Sequence, residues 1–419
     1  MIPCYLEQLD WVHSLPRFSN DDKLETMHLL LKKLGQPQNA LKFAHIAGTN
    51  GKGSAAVMLS CILREAGYKT GLNISPYVLC FRERFQINGE MISEEALAQI
   101  LYEVRCASED LQALTEFEAV TAAALLWFAR ESCDIVCLEV GLGGRLDATN
   151  AIQNTLVACI MHIARDHTEL LGDTLDKIAA EKCAIFKNQC DVVVYPQQDA
   201  LAMETILSLC AQSGCAAVVP DMQDFYFYKS RPFENRICYG GYDLCVPFCG
   251  VHQAYNASVA LEAALCLWKK GFQIEDEHII QGIANARFPA RIERISASPL
   301  VLLDGAHNPD GAEALRLEIL RSEAAGMSCV MGVLHGKNPK AMLAALKPCF
   351  GKVYTVTPDN PRAMSAQDLA VLAGEYFKEV KACASVREAL ALAEADGKGV
   401  CVCGSLYLAG EARDILLPK

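Results

Sequence analysis

The sequence predicts an α/β protein: a first domain with a mostly parallel sheet and a P-loop, then a smaller C-terminal α/β domain of Rossmann-like type. Three observations lead to this prediction. Apolar, β-branched runs alternate with helical patterns, which is typical of βαβ units. A glycine-rich turn joins the first of these runs to a helical pattern. The alternation stops near residue 285 and restarts near residue 300.

The first domain is predicted to contain at least three such strands and two helices. The first helix ends at Gly67, because glycine suits a helix C-terminus. The second helix opens with Asp173, a residue type that caps helix N-termini. The predicted strands cover residues 42–46, 133–140 and 155–161, and the predicted helices cover residues 54–66 and 173–187.

The second domain begins where the segment ANARFPARIERISAS breaks the pattern. We place the first domain at residues 1–291 and the second at residues 292–419, a length that suits a small α/β domain. The predicted elements of the second domain are strands at 300–304, 328–334, 352–357 and 399–403 and a helix that starts near Asp310.

Composition and charge exclude several classes of protein. The 419 residues are 52% hydrophobic, enough for a sizeable core and two domains. A net charge of −12 argues against general nucleic-acid binding, which requires clustered Lys and Arg. The absence of an apolar run of about 18 residues and of a signal-peptide pattern predicts a cytoplasmic protein without a membrane span. The 20 cysteines lie mainly in apolar runs and form no CxxC pair, which predicts reduced, buried thiols.

The segment HIAGTNGKGS, residues 45–54, is predicted to bind phosphate. Its three glycines let the backbone curl, so that amide groups and the following helix N-terminus can hold an anion. Lys52 can then reach the β- and γ-phosphates of a nucleotide, and the Ser54 hydroxyl can contact Mg²⁺. The spacing differs from the common GxxxxGK[ST], and a P-loop alone leaves kinases, GTPases and ATPases open. The predicted ATP contacts of this loop are Gly51, Lys52, Gly53 and Ser54.

Further segments extend the pattern along nearly the whole chain. They are TGLNISPYVLCFRERFQING, LEVGLGGRLDATN, DHTELLGDTLDKIAAEKCAIFK, GVHQAYNASVALEAA, FPARIE, LDGAHNPDGAEAL and GSLYLAGEAR. Together with the phosphate loop, these long motifs resemble the folylpolyglutamate synthase/dihydrofolate synthase family, which belongs to the Mur-ligase-like ATP-dependent amide ligases. The resemblance implies a Mur-type central ATPase domain at 1–291 and a glutamate-ligase domain at 292–419.

A metal site is predicted near the phosphate loop. Glu139 ends the apolar run CDIVCLE, where a carboxylate faces the ligand crevice of a parallel sheet and suits Mg²⁺. Taken alone, Glu139 fits a capping or solvated glutamate equally well. The resemblance adds metal contacts at Ser54, Ser75 and His167. Because imidazole is an unusual ligand for Mg²⁺, the assignment of His167 depends on the DHTE motif.

The resemblance also implies a carboxylated lysine at Lys182. A neutral lysine amine adds CO₂ to give an anionic carbamate whose oxygens can bind metal, and burial can supply the lowered pKa that this needs. From helix geometry alone, an ordinary surface lysine is equally compatible. Lys182 is therefore predicted as a metal ligand and, with Lys52, as a candidate catalytic residue.

Other contacts to ATP are implied by the resemblance. Asn256 is placed near the adenine, Arg291 on the phosphates, and Asp304 reaches the nucleotide from the second domain. His307, in the same loop as Asp304, is a third catalytic candidate that binds glutamate or stabilises the transferring phosphoryl group.

The candidates for binding the pterin and benzoyl end of a folate are Phe117, Glu118 and Asp147. An aromatic ring and carboxylates suit a flat ring that is rich in N–H donors. Arg82 and Arg84 either attract an anionic substrate or are paired surface charges.

The chain departs from the family pattern at three places. ISPY at 74–77 stands where TSPH is usual, which replaces an imidazole with the phenol of Tyr77. IARDHTE at 163–169 stands where IGLDHTE is usual and adds the positive charge of Arg165. HGKN at 335–338 replaces an acidic stretch.

The activity implied is ATP-dependent ligation of L-glutamate to a folate-type carboxylate through an acyl-phosphate, with Mg²⁺ as cofactor. Two reactions of the family are expected: extension of a tetrahydrofolate with further glutamates, and addition of glutamate to dihydropteroate to give dihydrofolate. The implied substrates are ATP, L-glutamate and a reduced folate or dihydropteroate, and the implied state is a monomer.

Three alternative classes of protein differ in the domains and residues that they require. A cell-wall Mur ligase normally has an extra N-terminal domain, and a P-loop NTPase without ligation would not need the DGAHNP segment. A catalytically inactive binding protein would not need the intact set of catalytic and metal-ligand candidates.

Overall fold

The structure is a computed structural model that describes residues 3–17, 24–228, 233, 235–322 and 324–417. Contacts group the chain into two compact units. The first unit draws on Met1–Tyr77, Phe81–Phe225 and Tyr255–Ala286, and the second draws on Val78–Cys80, Tyr226–Ala254 and Arg287–Lys419. The second unit thus includes residues 226–254, which the sequence pattern had placed in the first domain. The predicted boundary between residues 291 and 292 stays a prediction.

An eight-stranded sheet forms the centre of the first unit. Its strands are β1 (Phe43–Ala47), β2 (Thr70–Asn73), β3 (Gln86–Ile87), β4 (Glu90–Met91), β5 (Ile135–Glu139), β6 (Thr155–Ile160), β7 (Asp191–Val194) and β8 (Ala216–Val218). Their order is β4-β3-β2-β5-β1-β6-β7-β8. Neighbours from β2 to β8 in this order are parallel, whereas β3 and β4 form an antiparallel edge. The central strands are buried along their whole length, as expected when helices cover both faces of a parallel sheet.

Helices pack on both faces of this sheet. Helix α3 (Lys52–Glu65) is buried on nearly every side because α10 (Asp276–Ala284) lies against it. A Cβ at Gly282 of α10 would overlap the backbone of Ile62 in α3. Glycine is therefore required for this close approach. The helices up to residue 284 are α1 (Tyr5–Ser14), α2 (Glu25–Lys33), α3 (Lys52–Glu65), α4 (Glu94–Ser108), α5 (Glu116–Arg130), α6 (Thr168–Leu171), α7 (Leu175–Cys183), α8 (Ala200–Gln212), α9 (Val251–Lys269) and α10 (Asp276–Ala284).

The second unit contains two sheets. Their strands are β9 (Phe225–Phe227), β10 (Asn235–Tyr239), β11 (Tyr242–Val246), β12 (Glu293–Ala297), β13 (Leu300–Leu303), β14 (Met327–Met331), β15 (Phe350–Thr355), β16 (Glu379–Ala382) and β17 (Val400–Cys403). Strands β9, β10 and β11 form a three-stranded sheet, and the other six form a sheet in the order β12-β13-β17-β14-β15-β16, in which only β12 is antiparallel to its neighbour. The helices are α11 (Pro309–Arg321), α12 (Pro339–Leu346), α13 (Ala366–Ala373), α14 (Val386–Ala395) and α15 (Leu406–Leu416).

The predicted fold class is confirmed: both units are α/β, and the first has a sheet dominated by parallel strands. The predicted N-cap at Asp173 is wrong. Thr174 is the N-cap of α7 in an extended conformation, and Asp173 instead accepts a hydrogen bond from Lys177 Nζ at 2.8 Å. The prediction counted one residue too early, because both Asp173 and Thr174 are residue types that precede helices.

All 20 cysteines lie in the described ranges, most of them are buried, and none forms a disulfide. Burial holds the pKa of several of these thiols well above the ordinary value, Cys137 among them. This agrees with the prediction of reduced, buried thiols. Within the described ranges, no helix is both long enough and apolar enough to cross a bilayer.

Candidate active site

The phosphate loop and the predicted metal ligands lie at one edge of the first-unit sheet. Strands β2, β5, β1 and β6 are consecutive and parallel, so their carboxyl ends meet at the same edge. Ser75 follows β2, Glu139 ends β5, the phosphate loop follows β1, and His167 follows β6. Ligands of open α/β sheets bind at this edge, which makes it the candidate active site.

The phosphate loop is held by its neighbours as well as by its glycines. Gly51, at φ 91°, is the N-cap of α3, and a Cβ there would overlap the Asn256 side chain. The Thr49 amide donates to the His162 carbonyl at 2.8 Å, which ties the loop to the segment after β6. Amides at the start of α3 make an anion site, and Asn256 lies directly beside it. Helix α3 begins at Lys52, two residues earlier than predicted, because Gly51 adopts the left-handed conformation that starts it.

Two lysines flank this loop. Lys52 Nζ donates to the Thr49 carbonyl at 3.3 Å, and Lys182 Nζ donates to the Gly48 carbonyl at 2.9 Å. Lys182 is only 4% exposed, so it is not an ordinary surface lysine. Burial, and then the positive charge of Lys52, lower the pKa of Lys182 to about 7. A substantial share of its amine is therefore neutral near pH 7, which is the form that can react with CO₂.

Glu139 presents a buried carboxylate at the end of β5. Its Oε2 accepts a hydrogen bond from the Ser75 amide at 2.9 Å, which joins the ends of β2 and β5. Ser54 is 1% exposed in the first turn of α3. A carboxylate and serine hydroxyls are hard oxygen donors, so the donor chemistry of these residues fits Mg²⁺.

His167 is the N-cap of the short helix α6 and has a left-handed backbone, at φ 51°. Its side chain is 41% exposed, and Nε2 lies 3.9 Å from an Asp166 carboxylate oxygen. Across the described part of the chain, no three His, Cys, Asp or Glu residues are grouped as a metal site. The predicted metal donors therefore depend on hydroxyls and on a modified Lys182 as well as on Glu139.

A glycine-rich loop follows β5 and lies against two other predicted site residues. A Cβ at Gly141 would be 2.5 Å from Phe117 Cζ, so the aromatic ring packs on the loop backbone. A Cβ at Gly144 would be 2.8 Å from the Lys182 carbonyl oxygen. The same loop thus connects a predicted pterin contact with the buried lysine, and neither glycine has room for a side chain.

Asp147, at the end of this loop, is buried and accepts three hydrogen bonds from its own segment. Oδ1 accepts from Thr149 Oγ1 at 2.6 Å and from the Thr149 amide at 3.0 Å, and Oδ2 accepts from the Leu142 amide at 2.8 Å. Burial raises the pKa of Asp147, and these hydrogen bonds oppose that rise. His45 Nε2 lies 2.9 Å from Thr149 Oγ1.

Glu118 has a structural role that was not predicted from the sequence. It forms a capping box with Thr115 at the start of α5: Glu118 Oε2 accepts from the Thr115 amide at 2.9 Å, and the Thr115 hydroxyl accepts from the Glu118 amide at 3.2 Å. The motif TEFE could have revealed this, because Ser or Thr followed three residues later by Glu is a capping signature. Contact of Glu118 with a pterin stays a prediction.

The predicted residues of the second unit cluster around Asp304. Its Oδ1 accepts from the Ala306 amide and its Oδ2 from the Ile292 amide, each at 2.9 Å, and burial raises the pKa of Asp304 to about 6. The Arg291 guanidinium lies 4.4 Å from the centre of the Phe288 ring. His307 Nδ1 lies 2.9 Å from the Gly305 carbonyl oxygen. Asp304 thus braces the loop that carries His307 and the segment that carries Arg291.

Arg82 and Arg84, whose roles the sequence did not decide, and two residues at departures from the family pattern have partners within the structure. Arg82 donates to the Ile92 carbonyl at 3.0 Å and lies 3.7 Å from Glu94. Arg84 lies over the Tyr77 ring at 5.4 Å, so the tyrosine that replaces the usual histidine takes part in a cation–π contact. In the HGKN segment, Asn338 is the N-cap of α12.

Two family models match the chain. A model of the Mur ligase middle domain matches residues 46–264, and a model of the Mur ligase glutamate ligase domain matches residues 290–406. These matches define the class of protein as a Mur-type ligase. Because the second domain is a glutamate-ligase domain, a P-loop NTPase without ligation is disfavoured.

Individual relatives narrow this class. The folylpolyglutamate synthase of Lacticaseibacillus casei is 34% identical and covers 99% of both chains. The dihydrofolate synthase/folylpolyglutamate synthase of Escherichia coli is 32% identical, over 97% of this chain and 94% of that protein. The chain therefore belongs to the folylpolyglutamate synthase/dihydrofolate synthase family.

Solved structures agree with this assignment. Mycobacterium tuberculosis folylpolyglutamate synthase complexed with ADP has a TM-score of 0.90 at 30% identity, with 99% of both chains covered. Escherichia coli FolC in complex with DHPP and ADP has a TM-score of 0.87 at 31% identity, covering 99% of this chain and 97% of that one.

Proposed function

We propose that this protein uses ATP to join L-glutamate to the carboxylate of a reduced folate, and that it also converts dihydropteroate to dihydrofolate. The observation that carries the proposal is the shared sheet edge, where a phosphate loop, a buried Glu139 and the loop ending in Asp147 come together. Several relatives, the Escherichia coli protein among them, carry both synthase names, which favours dihydropteroate as the second acceptor.

The chemistry needs a leaving group on the carboxylate. A carboxylate oxygen attacks the γ-phosphorus of ATP, the bond to ADP breaks, and an acyl-phosphate forms. The glutamate amine then attacks the acyl carbon and loses a proton, and inorganic phosphate leaves with the carboxylate oxygen. The protein contributes mainly position and charge neutralisation. Lys52 and the α3 amides would hold the phosphates, and Asn256, which lies beside Gly51, would contact the nucleotide near its base.

Magnesium and a modified lysine complete the proposed site. Ser54, Ser75, Glu139, His167 and carboxylated Lys182 would hold Mg²⁺. When bound, the ion neutralises charge on the phosphates and the carboxylate. The carbamate forms when neutral Lys182 Nζ bonds to the carbon of CO₂ and releases a proton. Its two oxygens would add a second anionic group to the carboxylate that Glu139 supplies.

In the second unit, Arg291, Asp304 and His307 are proposed to act on the nucleotide and on glutamate. The backbone hydrogen bonds of Asp304 support this, because they give the 304–308 loop a defined shape. A cytoplasmic location and a monomeric state stay predictions.

Product analysis tests the proposal. Purified protein is incubated with Mg-ATP and L-glutamate, with tetrahydrofolate and dihydropteroate offered separately, and products are identified by mass. The proposal predicts products that carry one or more added glutamates with each acceptor, and none without ATP. Turnover of tetrahydrofolate without any turnover of dihydropteroate would contradict the dual activity. Glutamate addition to reduced folate would then stand alone. No adduct with either acceptor would contradict the ligase assignment.

A further inference from the structure

The hydrogen-bond chain from Asp147 to His45 contains residues to which the proposed reaction gives no role. His45 lies on β1, just before the phosphate loop, and is 0% exposed. Thr149 is also 0% exposed and follows Asp147 by two residues. Asp147, Thr149 and His45 therefore form a buried chain between the glycine-rich loop and the strand that leads to the phosphate loop.

The direction of each hydrogen bond in this chain can be assigned. The Thr149 hydroxyl has one proton, which it donates to Asp147 Oδ1 at 2.6 Å. Its oxygen must therefore accept from His45, and this requires a proton on His45 Nε2. Burial lowers the pKa of His45 to about 3, so the ring is neutral and Nδ1 carries no proton. Nδ1 is the buried ring atom that has no partner among the described residues, and an unprotonated nitrogen there leaves no N–H group unsatisfied.

The chain determines which oxygen of Asp147 remains available. A carboxylate has about four acceptor positions. Oδ1 uses two of them for the Thr149 hydroxyl and amide, while Oδ2 uses one for the Leu142 amide. One acceptor position is left, on Oδ2. A ligand N–H group can therefore bond to Asp147 at a single, predetermined atom.

We propose that His45 and Thr149 are positioning residues for the pterin substrate, which hold Asp147 so that Oδ2 accepts a hydrogen bond from a pterin N–H group. This inference rests on the proposed function, because it needs a pterin acceptor. Phe117 packs against Gly141, the residue next to Leu142, whose amide donates to the same Oδ2. The loop that carries the acceptor therefore also has a flat apolar ring against it. The glycine-rich loop, the buried residues Thr149 and His45, and strand β1 therefore act together in binding the pterin.

Thr149 offers a matched pair of variants. Thr149→Val keeps the shape and removes the hydroxyl, whereas Thr149→Ser keeps the hydroxyl. We expect Thr149→Val to raise the KM for tetrahydrofolate or dihydropteroate at least about tenfold, because a hydrogen bond to a charged group is lost. Thr149→Ser should retain most of the affinity, and the KM for ATP should change less than about twofold in both variants.

His45 gives a second pair, which serves if Thr149→Val does not fold. His45→Gln retains an N–H group near the position of Nε2, and His45→Leu does not. We expect His45→Leu to weaken pterin binding as Thr149→Val does, and His45→Gln to restore part of it. Because both residues act through one chain, the double variant His45→Leu/Thr149→Val should be little worse than Thr149→Val alone.

The nitrogen NMR signature of His45 is independent of turnover. We expect a neutral ring protonated at Nε2 between about pH 5 and pH 8. A ring protonated at Nδ1 would overturn the proposal, as would equal pterin KM values for Thr149→Val, Thr149→Ser and the active wild type. A variant that raised the KM for ATP as much as that for the pterin would also overturn it. An inactive wild-type protein would contradict the proposed function itself, before any variant is compared.

Discussion

Lys182 shows how a single residue acquires its character from burial. Its Nζ bonds to the Gly48 carbonyl, and the surrounding protein removes it from water, which lowers its pKa to about 7. The same amine at the protein surface would stay fully charged near pH 7 and would not form a carbamate. The functional assignment of Lys182 therefore depends on its environment.

Replacing Lys182 should abolish most of the ligase activity. We expect Lys182→Met to lower kcat/KM by about a hundredfold or more. The site would lose the carbamate that helps to hold Mg²⁺, and with it part of the stabilisation of charge in the transition state. Lys177→Met on the same helix is the control. Lys177 is exposed and pairs with Asp173, so its loss should change the rate less than about twofold. Equal rates for the two variants would contradict the role of Lys182.

The lowered pKa of Lys182 also predicts a pH-dependent cost to stability. Below about pH 7 both the folded and the unfolded protein carry the proton, and the folded protein bears the full penalty of a buried charge. Between about 7 and 10.5 the folded protein has lost the proton while the unfolded chain keeps it, so stability rises with pH. In CO₂-free buffer, Lys182→Met should raise the melting temperature more at about pH 6 than at about pH 9. A gain that did not depend on pH would refute this.

At the scale of elements, the phosphate loop depends on one glycine for two separate reasons. Gly51 has a left-handed backbone, and its missing side chain leaves room for Asn256. Gly67, after α3, has a similar φ of 85° but nothing within 4 Å of its Cβ position. Comparing substitutions at Gly51 and Gly67 therefore distinguishes the effect of backbone strain from the effect of steric overlap.

We expect Gly67→Ala to lower the free energy of unfolding by about 1 kcal/mol and to leave the KM for ATP unchanged. Gly51→Ala should cost at least as much stability and also raise the KM for ATP about tenfold or more, because Asn256 and the loop amides are displaced. Chemical unfolding and initial rates measure both effects. If the two variants had the same KM for ATP, the contact with Asn256 would have no part in nucleotide binding.

The capping box of α5 makes another prediction at this scale. Thr115→Ala should lower the free energy of unfolding by about 1 kcal/mol, since it removes the cap that Thr115 and Glu118 form. Thr115→Ser keeps the hydroxyl and should lose much less. Thermal unfolding of the two variants tests this, and identical losses would show that the hydroxyl does not stabilise the helix.

Strands and the phosphate loop could be predicted because their signal is local. The run before the loop and the run CDIVCLE are apolar and short, and they become β1 and β5 with ends shifted by one or two residues. The order of the strands and the edge hairpin of β3 and β4 could not be predicted, because pairing joins residues far apart in the chain. The same limit applied to Lys182, whose burial depends on the loop at Gly144.

The His45 chain was missed for a related reason. His45 was assigned to a strand and Asp147 to the pterin, and nothing in the sequence places Thr149 between them. The contact joins residues 104 positions apart. Only the spacing of Asp147 and Thr149 gave a local signal, since Asp often accepts from the backbone amide two residues later.

At the scale of the whole molecule, an acidic protein is proposed to bind three anionic substrates. The net charge of −12 repels ATP, glutamate and a folate at long range, so binding depends on local positive groups and on backbone amides. In the proposed reaction, Lys52, the start of α3 and Mg²⁺ supply this positive charge. Since long-range repulsion weakens in salt, moderate ionic strength should lower the KM for the folate until local contacts are screened as well.

The central claim is that the acceptor carboxylate is activated as an acyl-phosphate, and the fate of its oxygen tests this directly. The acceptor is prepared with heavy oxygen in its carboxylate, and the inorganic phosphate released with Mg-ATP and L-glutamate is analysed by mass. We predict that each amide bond formed transfers one heavy oxygen atom into phosphate. Product formed together with unlabelled phosphate would contradict the acyl-phosphate route.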